Sequence, residues 1–206
     1  SNEIAGIEGT PAAGDVVRLS TAAGEPLGVG FYHPHSLIAV RRLSPVARPI
    51  DRAFFLERID RALALRRKLY PAASACRVVH GEADYLPGLV VDRYGSCLAI
   101  QTLSFGMDAR LPLIVEVLKE LLQPEVIVER NESPLRTLEA LPQRSGVLHG
   151  TAGTVEIEEH GLRYTVDPLA GQKTGFFLDQ RENRRMLREY SAGARVLDCF
   201  CNDGGF

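Results

Sequence analysis

The sequence has no tryptophan, only four cysteines and no hydrophobic run close to the roughly 20 residues that span a bilayer. Its amino-terminal segment lacks the basic stretch and apolar core of a secretory signal. The cysteines are not arranged as paired CxxC units, which favours reduced thiols in a cytoplasmic protein over a zinc site. We therefore expect no metal and no membrane partner. The four are Cys76, Cys97, Cys199 and Cys201.

The 206 residues have an ordinary globular composition, with 45% hydrophobic and 24% charged residues. This excludes disordered and collagen-like classes and leaves room for one large domain or two smaller ones. The chain ends in VLDCFCNDGGF, which is typical of a buried strand followed by a glycine turn. Because a domain rarely stops between a strand and its next element, we expect the chain to be a fragment of a longer protein.

Charge is distributed unevenly, although the formal net charge is only -2. Residues 41–68 carry nine basic and three acidic side chains and lie between two acidic blocks, 1–40 and 69–170. A basic block can bind a polyanion or can simply be a solvated helix face. On charge alone the solvated face is favoured.

The first half of the chain predicts short strands followed by one long helix. Strands are expected at 15–20, 28–33 and 36–44, separated by turns, as in a small barrel or sheet. Some 45 residues are too few for an independently stable barrel, so this part either packs on its neighbour or lacks strands. Residues 51–70 predict a helix capped by Asp51, with its apolar stripe at helical spacing.

The middle of the chain predicts an α+β domain. Three β runs between Cys76 and Ser104 precede a helix ending near Leu122, a strand at 126–130, a loop-rich segment at 131–151 and a hairpin at 154–167. The last block predicts an Arg-rich helix over Asp179–Tyr190, capped by Asp179, and then a strand at 194–200.

Two phrases near the end carry candidate chemistry. In VLDCFCNDGGF, a hydrophobic strand ends in an acid and a glycine turn, as at nucleotide-like sites of α/β folds, although a plain strand-to-turn glycine pair fits equally well. In GQKTGFFLDQRENRR (171–185), a loop runs into a helix N-terminus, which suits the anionic end of a ligand; a well-capped helix with buried Phe anchors is the alternative.

Together, in this order, the two phrases resemble the start of the catalytic domain of class I S-adenosylmethionine-dependent methyltransferases. More narrowly, they resemble the bacterial 23S ribosomal RNA cytosine-5 methyltransferase family. RVVHGEADYLPGLVVDRYG (77–95) is similar to that family's middle domain, and GVGFYHPHSLIAVRRLS (28–44) to its amino-terminal PUA RNA-binding domain. The resemblance covers the chain from about Gly14 onward.

The resemblance implies an α+β and α/β multidomain fold. Its parts are a partial PUA-like β-barrel in 1–48, a basic linking helix with an α+β middle domain in 49–170, and the first strand of a truncated Rossmann-like methyltransferase domain in 171–206. It also implies S-adenosylmethionine as cofactor. The implied cofactor-binding residues are Lys173, Thr174, Gly175, Phe177, Asp179, Gln180, Arg181, Asp198, Phe200, Asn202, Gly204 and Gly205.

The chain departs from the family in two ways. Asn202-Asp203 stands where the family has an aromatic-Thr pair, which puts those two contacts in doubt. The family's cysteine that attacks C6 of cytosine, and its Pro-Pro loop, lie beyond residue 206. Cys199 is expected to be a buried strand residue and Cys201 to lie at the cofactor turn. No catalytic residue is therefore expected in the chain, which is predicted to be inactive by itself and to bind the cofactor weakly.

The resulting hypothesis is a ribosomal RNA methyltransferase that makes 5-methylcytosine. The alternative is a non-enzymatic RNA-binding protein that retains the PUA-like and middle domains. Ribosomal RNA is the expected partner, and the oligomeric state is open, with a homodimer as one candidate. His80-Gly81-Glu82-x-Asp84 is read as turn chemistry rather than a metal cluster, and His33 as a loop residue. The expected RNA-binding residues are Arg41, Arg42, Arg48, Arg52, Arg61, Arg67 and Lys68.

Overall fold

The computed structural model describes residues 4–201 and 204–206. Its first element group is a three-stranded antiparallel sheet of β1 (Val16–Ser20), β2 (Pro26–Tyr32) and β3 (Val40–Ser44), in that order. Gly28 is required where β2 crosses the end of β3, because a Cβ there would lie 1.9 Å from the Ser44 carbonyl oxygen. The described part of this region is an open sheet and not a closed barrel.

This small sheet is stabilised by packing on its neighbour, as expected for so short a segment. Phe31 and Leu43 are buried in the main core cluster together with residues of the middle domain. Gly106 lies directly against the Phe31 ring, where any Cβ would approach ring atoms to 2.2 Å. Arg110 covers the same ring at 4.4 Å and donates to the Gly14 carbonyl oxygen at 3.1 Å.

The long basic helix is present as α1 (Arg52–Leu69). Asp51 caps it, as predicted, by accepting a hydrogen bond from the Phe54 amide at 3.1 Å. Phe55 and Ile59 of the predicted stripe are fully buried in the main core, so the helix is held by its apolar face and leaves most basic side chains outside. Phe54 and Arg58 are also buried, which the stripe did not predict.

The middle domain is built on a five-stranded sheet in the order β4-β5-β6-β7-β8. Its strands are β4 (Ala75–His80), β5 (Leu89–Tyr94), β6 (Cys97–Thr102), β7 (Val126–Asn131) and β8 (Arg144–His149). Only β6 and β7 are parallel, and they are joined through the short helix α2 (Phe105–Asp108) and through α3 (Leu111–Leu122). Helices α1 and α3 cover one face of this sheet.

The other face of the sheet is covered by the last third of the chain. The hairpin β9 (Val155–Glu159) and β10 (Leu162–Val166) turns at His160-Gly161, both with positive φ, as the sequence predicted. Its buried Ile157 and Val166 pack with Tyr94 and Phe176 in a second core cluster. Helix α4 (Arg181–Ser191) follows. No helix in the described part of the chain combines the length and apolar character needed to cross a membrane.

Three element predictions differ from the structure. The segment expected to be loop-rich contains β8, an edge strand whose half-exposed pattern gives a weak sequence signal. Asp179 does not cap α4, because it lies in a 3₁₀ turn (Leu178–Gln180) and the N-cap position is Gln180. The strand expected at 194–200 is not formed, because among the described residues no neighbouring strand lies beside it to pair with its backbone.

Candidate functional site

An open groove of about 990 Å³ lies beside the five-stranded sheet. Its walls are the carboxyl-terminal part of α1, which contributes Leu69 and Tyr70, and the segment 171–181, which contributes Lys173 and Asp179. The sheet itself contributes side chains from β4 to β7, among them Arg130. The groove therefore brings part of the predicted cofactor phrase next to the middle domain.

The segment 171–181 is fixed to the sheet by a chain of buried hydrogen bonds through Thr174. The Thr174 side chain is 1% exposed; its hydroxyl donates to Asp92 at 2.5 Å and lies 2.9 Å from the Tyr94 hydroxyl. Arg77 holds the Asp92 carboxylate through two bonds of 2.8 and 2.9 Å. Burial, together with the nearby Asp92 charge, raises the pKa of Tyr94, which therefore stays a neutral hydrogen-bonding group. Thr174 thus anchors the loop from inside.

Gly175 follows the anchor in a conformation that only glycine adopts easily. Its φ is +137°, and a Cβ there would lie 2.9 Å from the Val166 side chain. This close passage over the hairpin sets the direction in which the next residues leave the sheet. Gly175 is accordingly buried, and in this structure it serves the path of the backbone.

Lys173, Phe177 and Asp179 are the members of the phrase that reach the outside. The Lys173 ammonium lies 4.3 Å from the centre of the Phe177 ring, and Lys173 and Asp179 are exposed and line the groove. An ammonium, a carboxylate and an aromatic ring within one short loop are complementary to an amino-acid zwitterion joined to a flat base. This donor set fits S-adenosylmethionine.

Arg181 and Gln180 lie at the start of α4. Arg181 donates to the Ala75 carbonyl oxygen at 2.7 Å, contacts Glu159 at 3.4 Å and covers the Tyr70 ring at 5.1 Å. These contacts occupy its guanidinium within the protein, and Gln180 is half-buried beside it. Arg181 therefore closes one end of the groove.

The structure places only the end of the second phrase, VLDCFCNDGGF, close to the first phrase, 171–185. Asp198 and Cys199 are exposed and Phe200 is 95% exposed, so the expected burial of Cys199 is wrong, because the strand that would bury it is not formed. Asn202 lies outside the described residues. Gly204 has a φ of +66° in an open turn. Gly205 and Phe206 lie near the first phrase: a Cβ at Gly205 would lie 3.6 Å from the Arg184 side chain, and the Arg184 guanidinium lies 5.9 Å from the centre of the Phe206 ring.

The seven expected RNA-binding residues divide into two groups. Arg41, Arg48 and Arg52 form ion pairs with Glu139, Glu57 and Glu120, respectively. The other four are exposed and form no ion pair within the described part of the chain: Arg42, Arg61, Arg67 and Lys68. The second group therefore keeps its charge available at the surface.

The structure also bears on two predictions about histidines, namely that His33 lies in a loop and that His80 belongs to a turn and not to a metal cluster. His33 lies in the loop that follows β2, as predicted, but it is only 5% exposed: its Nε2 lies 3.2 Å from the carbonyl oxygen of Glu139, which ends the 3₁₀ turn Pro134–Glu139. His80 to Asp84 form a 3₁₀ turn, in which Asp84 accepts bonds from the His80 amide and from Arg66. The turn interpretation is confirmed.

Sequence reasoning missed the arginines that line the groove from the sheet and α1. Arg66, Arg77 and Arg130 each hold an acidic partner, respectively Asp84, Asp92 and Glu132. They are distant in sequence, so no local motif groups them. The alternation of charged and apolar residues in CRVVHGE and VIVERNE was the available signal.

Comparison with known proteins identifies two families that parts of the chain resemble. Residues 1–45 match the family model of a PUA-like domain, and residues 144–206 match that of S-adenosylmethionine-dependent methyltransferases. The resemblance to S-adenosylmethionine-dependent methyltransferases is confirmed. The mixed fold, with a PUA-like amino-terminal part, and the expected cofactor are confirmed with it.

Three curated relatives of this methyltransferase-like chain share the name Ribosomal RNA large subunit methyltransferase I. The protein of Vibrio cholerae is 39% identical over 210 residues, covering 100% of this chain and 53% of the relative. That of Alteromonas mediterranea is 38% identical, covering 98% and 52%. That of Vibrio parahaemolyticus is 37% identical, covering 100% and 53%. The chain thus spans about half the length of the curated relatives it matches.

Two solved structures share the fold. A candidate SAM-dependent methyltransferase from Streptococcus mutans matches with a TM-score of 0.74 and 21% identity, covering 89% of this chain and 48% of that one. A second candidate methyltransferase, solved in complex with SAH, matches with a TM-score of 0.72 and 20% identity, covering 86% and 46%.

Proposed function

We propose that the chain is the RNA-recognition and cofactor-loop part of an enzyme that methylates C5 of a cytosine in large-subunit ribosomal RNA, with S-adenosylmethionine as methyl donor. The observation that carries the proposal is the match along the whole chain to relatives named for ribosomal RNA large-subunit methylation. The choice of C5 of cytosine rests on the resemblance of the two terminal phrases. The cytoplasm is the location that goes with this substrate.

The proposed division of labour follows the three parts of the chain, with the boundaries 1–48, 49–170 and 171–206. The PUA-like sheet and α1 hold RNA, and the exposed, unpaired cations Arg42, Arg61, Arg67 and Lys68 contact phosphates. The loop 171–181 receives the cofactor. The target base leaves its stack to reach the methyl donor, since C5 is shielded inside a helix.

Within the cofactor loop, we assign three roles. Lys173 pairs with the carboxylate of the methionine part, Asp179 accepts from its ammonium, and Phe177 contacts the flat base. Thr174 and Gly175 hold the loop in place from its buried side. S-adenosylmethionine supplies the electrophilic methyl group when bound.

Calorimetry on the 206-residue chain tests the cofactor assignment. We expect S-adenosylmethionine to bind more weakly than micromolar, because Asp198 and Phe200 are exposed and do not pack against a sheet. Lys173→Met should weaken the affinity about a further tenfold, because a charged contact is lost. Lys119→Met, which removes an exposed lysine of α3, is the matched control. Sub-micromolar binding, or equal affinities of the two variants, would contradict the assignment.

A methyl-transfer assay and a salt titration test the rest. The chain alone is predicted to transfer no methyl group to ribosomal RNA, because none of its four cysteines corresponds to the family's nucleophile. It is predicted to bind RNA with an affinity that falls steeply with salt. Binding of RNA without any binding of S-adenosylmethionine would instead support the alternative, a non-enzymatic RNA-binding protein.

A further inference from the structure

Arg58 is a buried cation for which the described residues supply no counterion. It lies on α1 and is only 9% exposed, and its side chain forms neither an ion pair nor a hydrogen bond with any residue in 4–201 or 204–206. Its Nε is fully buried without a partner. Burying a charge without a partner is costly, so such groups in proteins are normally paired or hold a ligand.

Two aromatic rings enclose this cation. The Arg58 guanidinium carbon lies 5.5 Å from the centre of the Phe54 ring and 5.2 Å from that of Tyr85. Cation–π contacts compensate part of the burial, but they leave the N–H groups without acceptors. The rings therefore hold the guanidinium in place, and its buried Nε has no hydrogen-bond acceptor among the described residues.

Tyr85 is itself unusual for its position. It is 54% exposed and has a φ of +58°, in the left-handed region that large side chains rarely adopt. Arg61 lies 5.7 Å from its ring centre. Strained backbone that presents an aromatic ring to solvent beside two arginines is typical of a binding surface rather than of a core.

The same face of α1 continues the positive charge. Arg58, Arg61, Leu65 and Lys68 follow one another at steps of three and four residues and so lie in one row. Arg61 and Lys68 are exposed and have no acidic partner within the described ranges, and Leu65 is 48% exposed. The row leads toward the groove, whose lining includes Leu65.

We propose that Arg58, Arg61 and Tyr85 form a binding site for single-stranded RNA. The Arg58 guanidinium binds a backbone phosphate, which supplies the missing counterion, and an unpaired base stacks against Tyr85 and Arg61. Because a duplex hides the faces of its bases, the exposed ring selects an unpaired strand. This inference rests on the proposed function, in which the substrate is RNA, and it names where and in what form the RNA is bound.

The test measures binding of a short, unstructured cytidine-rich oligoribonucleotide to the 206-residue chain as a function of salt. Arg58→Gln should weaken binding and lower the slope of log K against log salt by about 0.7, the value for one phosphate contact on a single strand. Tyr85→Leu should weaken binding at least about fivefold and leave the slope unchanged, because stacking involves no counterion release. Binding of a blunt RNA duplex should not change with Tyr85→Leu.

Matched controls are Arg163→Gln and Tyr190→Leu, both at exposed positions on the hairpin and α4. Arg58→Lys, which keeps the charge, should restore the salt slope. Arg58→Met should weaken RNA binding as Arg58→Gln does and should not lower thermal stability, since it removes a buried charge that has no acidic partner among the described residues.

The outcomes separate the two levels of the proposal. If the wild-type chain binds RNA and the Arg58 and Tyr85 variants bind like their controls, this site is overturned while the proposed function stands. If the wild-type chain binds no RNA, the proposed function and this site fall together. A large loss of stability in Arg58→Met with unchanged RNA affinity would assign Arg58 to the core and also overturn the site.

Discussion

Asp108 shows how one partly buried carboxylate stabilises the middle domain. Its carboxylate accepts from Arg136 at 2.8 Å, from Arg144 at 2.9 Å and from the Thr102 hydroxyl at 2.7 Å. The Arg136 side chain is fully buried, so Asp108 is the acid that neutralises it. The three donors come from β6, from the segment before β8 and from β8 itself, and the carboxylate therefore joins elements that are far apart in sequence.

Replacing this carboxylate should lower the free energy of unfolding. Asp108→Asn keeps the shape but leaves the Arg136 cation buried without an acidic partner, and we expect a loss of about 3 kcal/mol in the free energy of unfolding. Urea denaturation measures it. Glu116→Gln, which removes an exposed acid paired with Lys119, should change stability by less than about 0.5 kcal/mol. Equal effects of the two substitutions would refute this account.

The same group predicts a pH dependence. Burial acts to raise the pKa of Asp108, but hydrogen bonds from Arg136 and Thr102 and the charges of both arginines outweigh it and hold the pKa below its ordinary value of 3.8. A depressed pKa contributes stability above 3.8 that is lost as the pH falls through the lower, folded value. Between about pH 5 and pH 2, Asp108→Asn should therefore lose less stability than the wild type.

At the scale of elements, helix α4 is held against the β9–β10 hairpin by an ion pair and not by an apolar stripe. Met186 and Tyr190, two of the large apolar residues of this helix, are 48% and 77% exposed. Instead, Arg184 donates to the buried Glu159 carboxylate of β9 at 2.6 and 2.9 Å and lies 4.5 Å from the Phe176 ring centre. The Glu159 carboxylate thus holds the buried cation of the helix that follows segment 171–181.

Glu159→Gln should loosen α4 without unfolding the sheet. The substitution leaves Arg184 buried without its counterion, so the helix should open locally and its amide hydrogen exchange should accelerate at least tenfold. Exchange measured by mass spectrometry over 181–191 reports this. Glu158→Gln, on the adjacent exposed position, provides the control. If the amides of α4 exchange at wild-type rates in Glu159→Gln, the role given to Glu159 is wrong.

For the molecule as a whole, Glu139 joins the PUA-like sheet to the middle domain. It is 3% exposed and accepts from Arg41 at 3.0 and 3.1 Å and from the Phe105 amide at 2.8 Å. Arg41 was expected to contact RNA, yet its guanidinium is engaged here and with Glu82. One carboxylate therefore orients the two parts that are proposed to hold the RNA.

Removing this contact should destabilise the PUA-like sheet more than the middle domain. With Glu139→Gln we expect a loss of about 3 kcal/mol in the region of residues 16–44, since Arg41 loses its buried acid. Limited proteolysis should then cleave this region before the middle domain. Glu132→Gln removes a half-exposed acid of the middle domain and should leave the digestion pattern unchanged. Simultaneous cleavage of both parts in Glu139→Gln would contradict the prediction.

Most elements were predictable from local pattern. Asp51 and the apolar spacing of α1, the three β runs of the middle domain and the His160-Gly161 turn were all identified correctly, because caps, period and turn residues are local properties. Edge strand β8 was missed, and the strand at 194–200 was predicted but is absent. Both errors concern pairing, which depends on neighbours that a local pattern does not contain.

The candidate site was predictable only in part, and for the same reason. The charge distribution by itself located the basic block, and the family resemblance of the two terminal phrases implied the fold class and the cofactor. Only the tertiary structure decided that Thr174 faces inward while Lys173 and Asp179 face the groove. It also decided that Arg41 has an acidic partner, whereas Arg58 has none among the described residues. Residue type and spacing fix what a side chain can do, but burial and counterions fix whether it is free to do it, and these arise from contacts between distant segments.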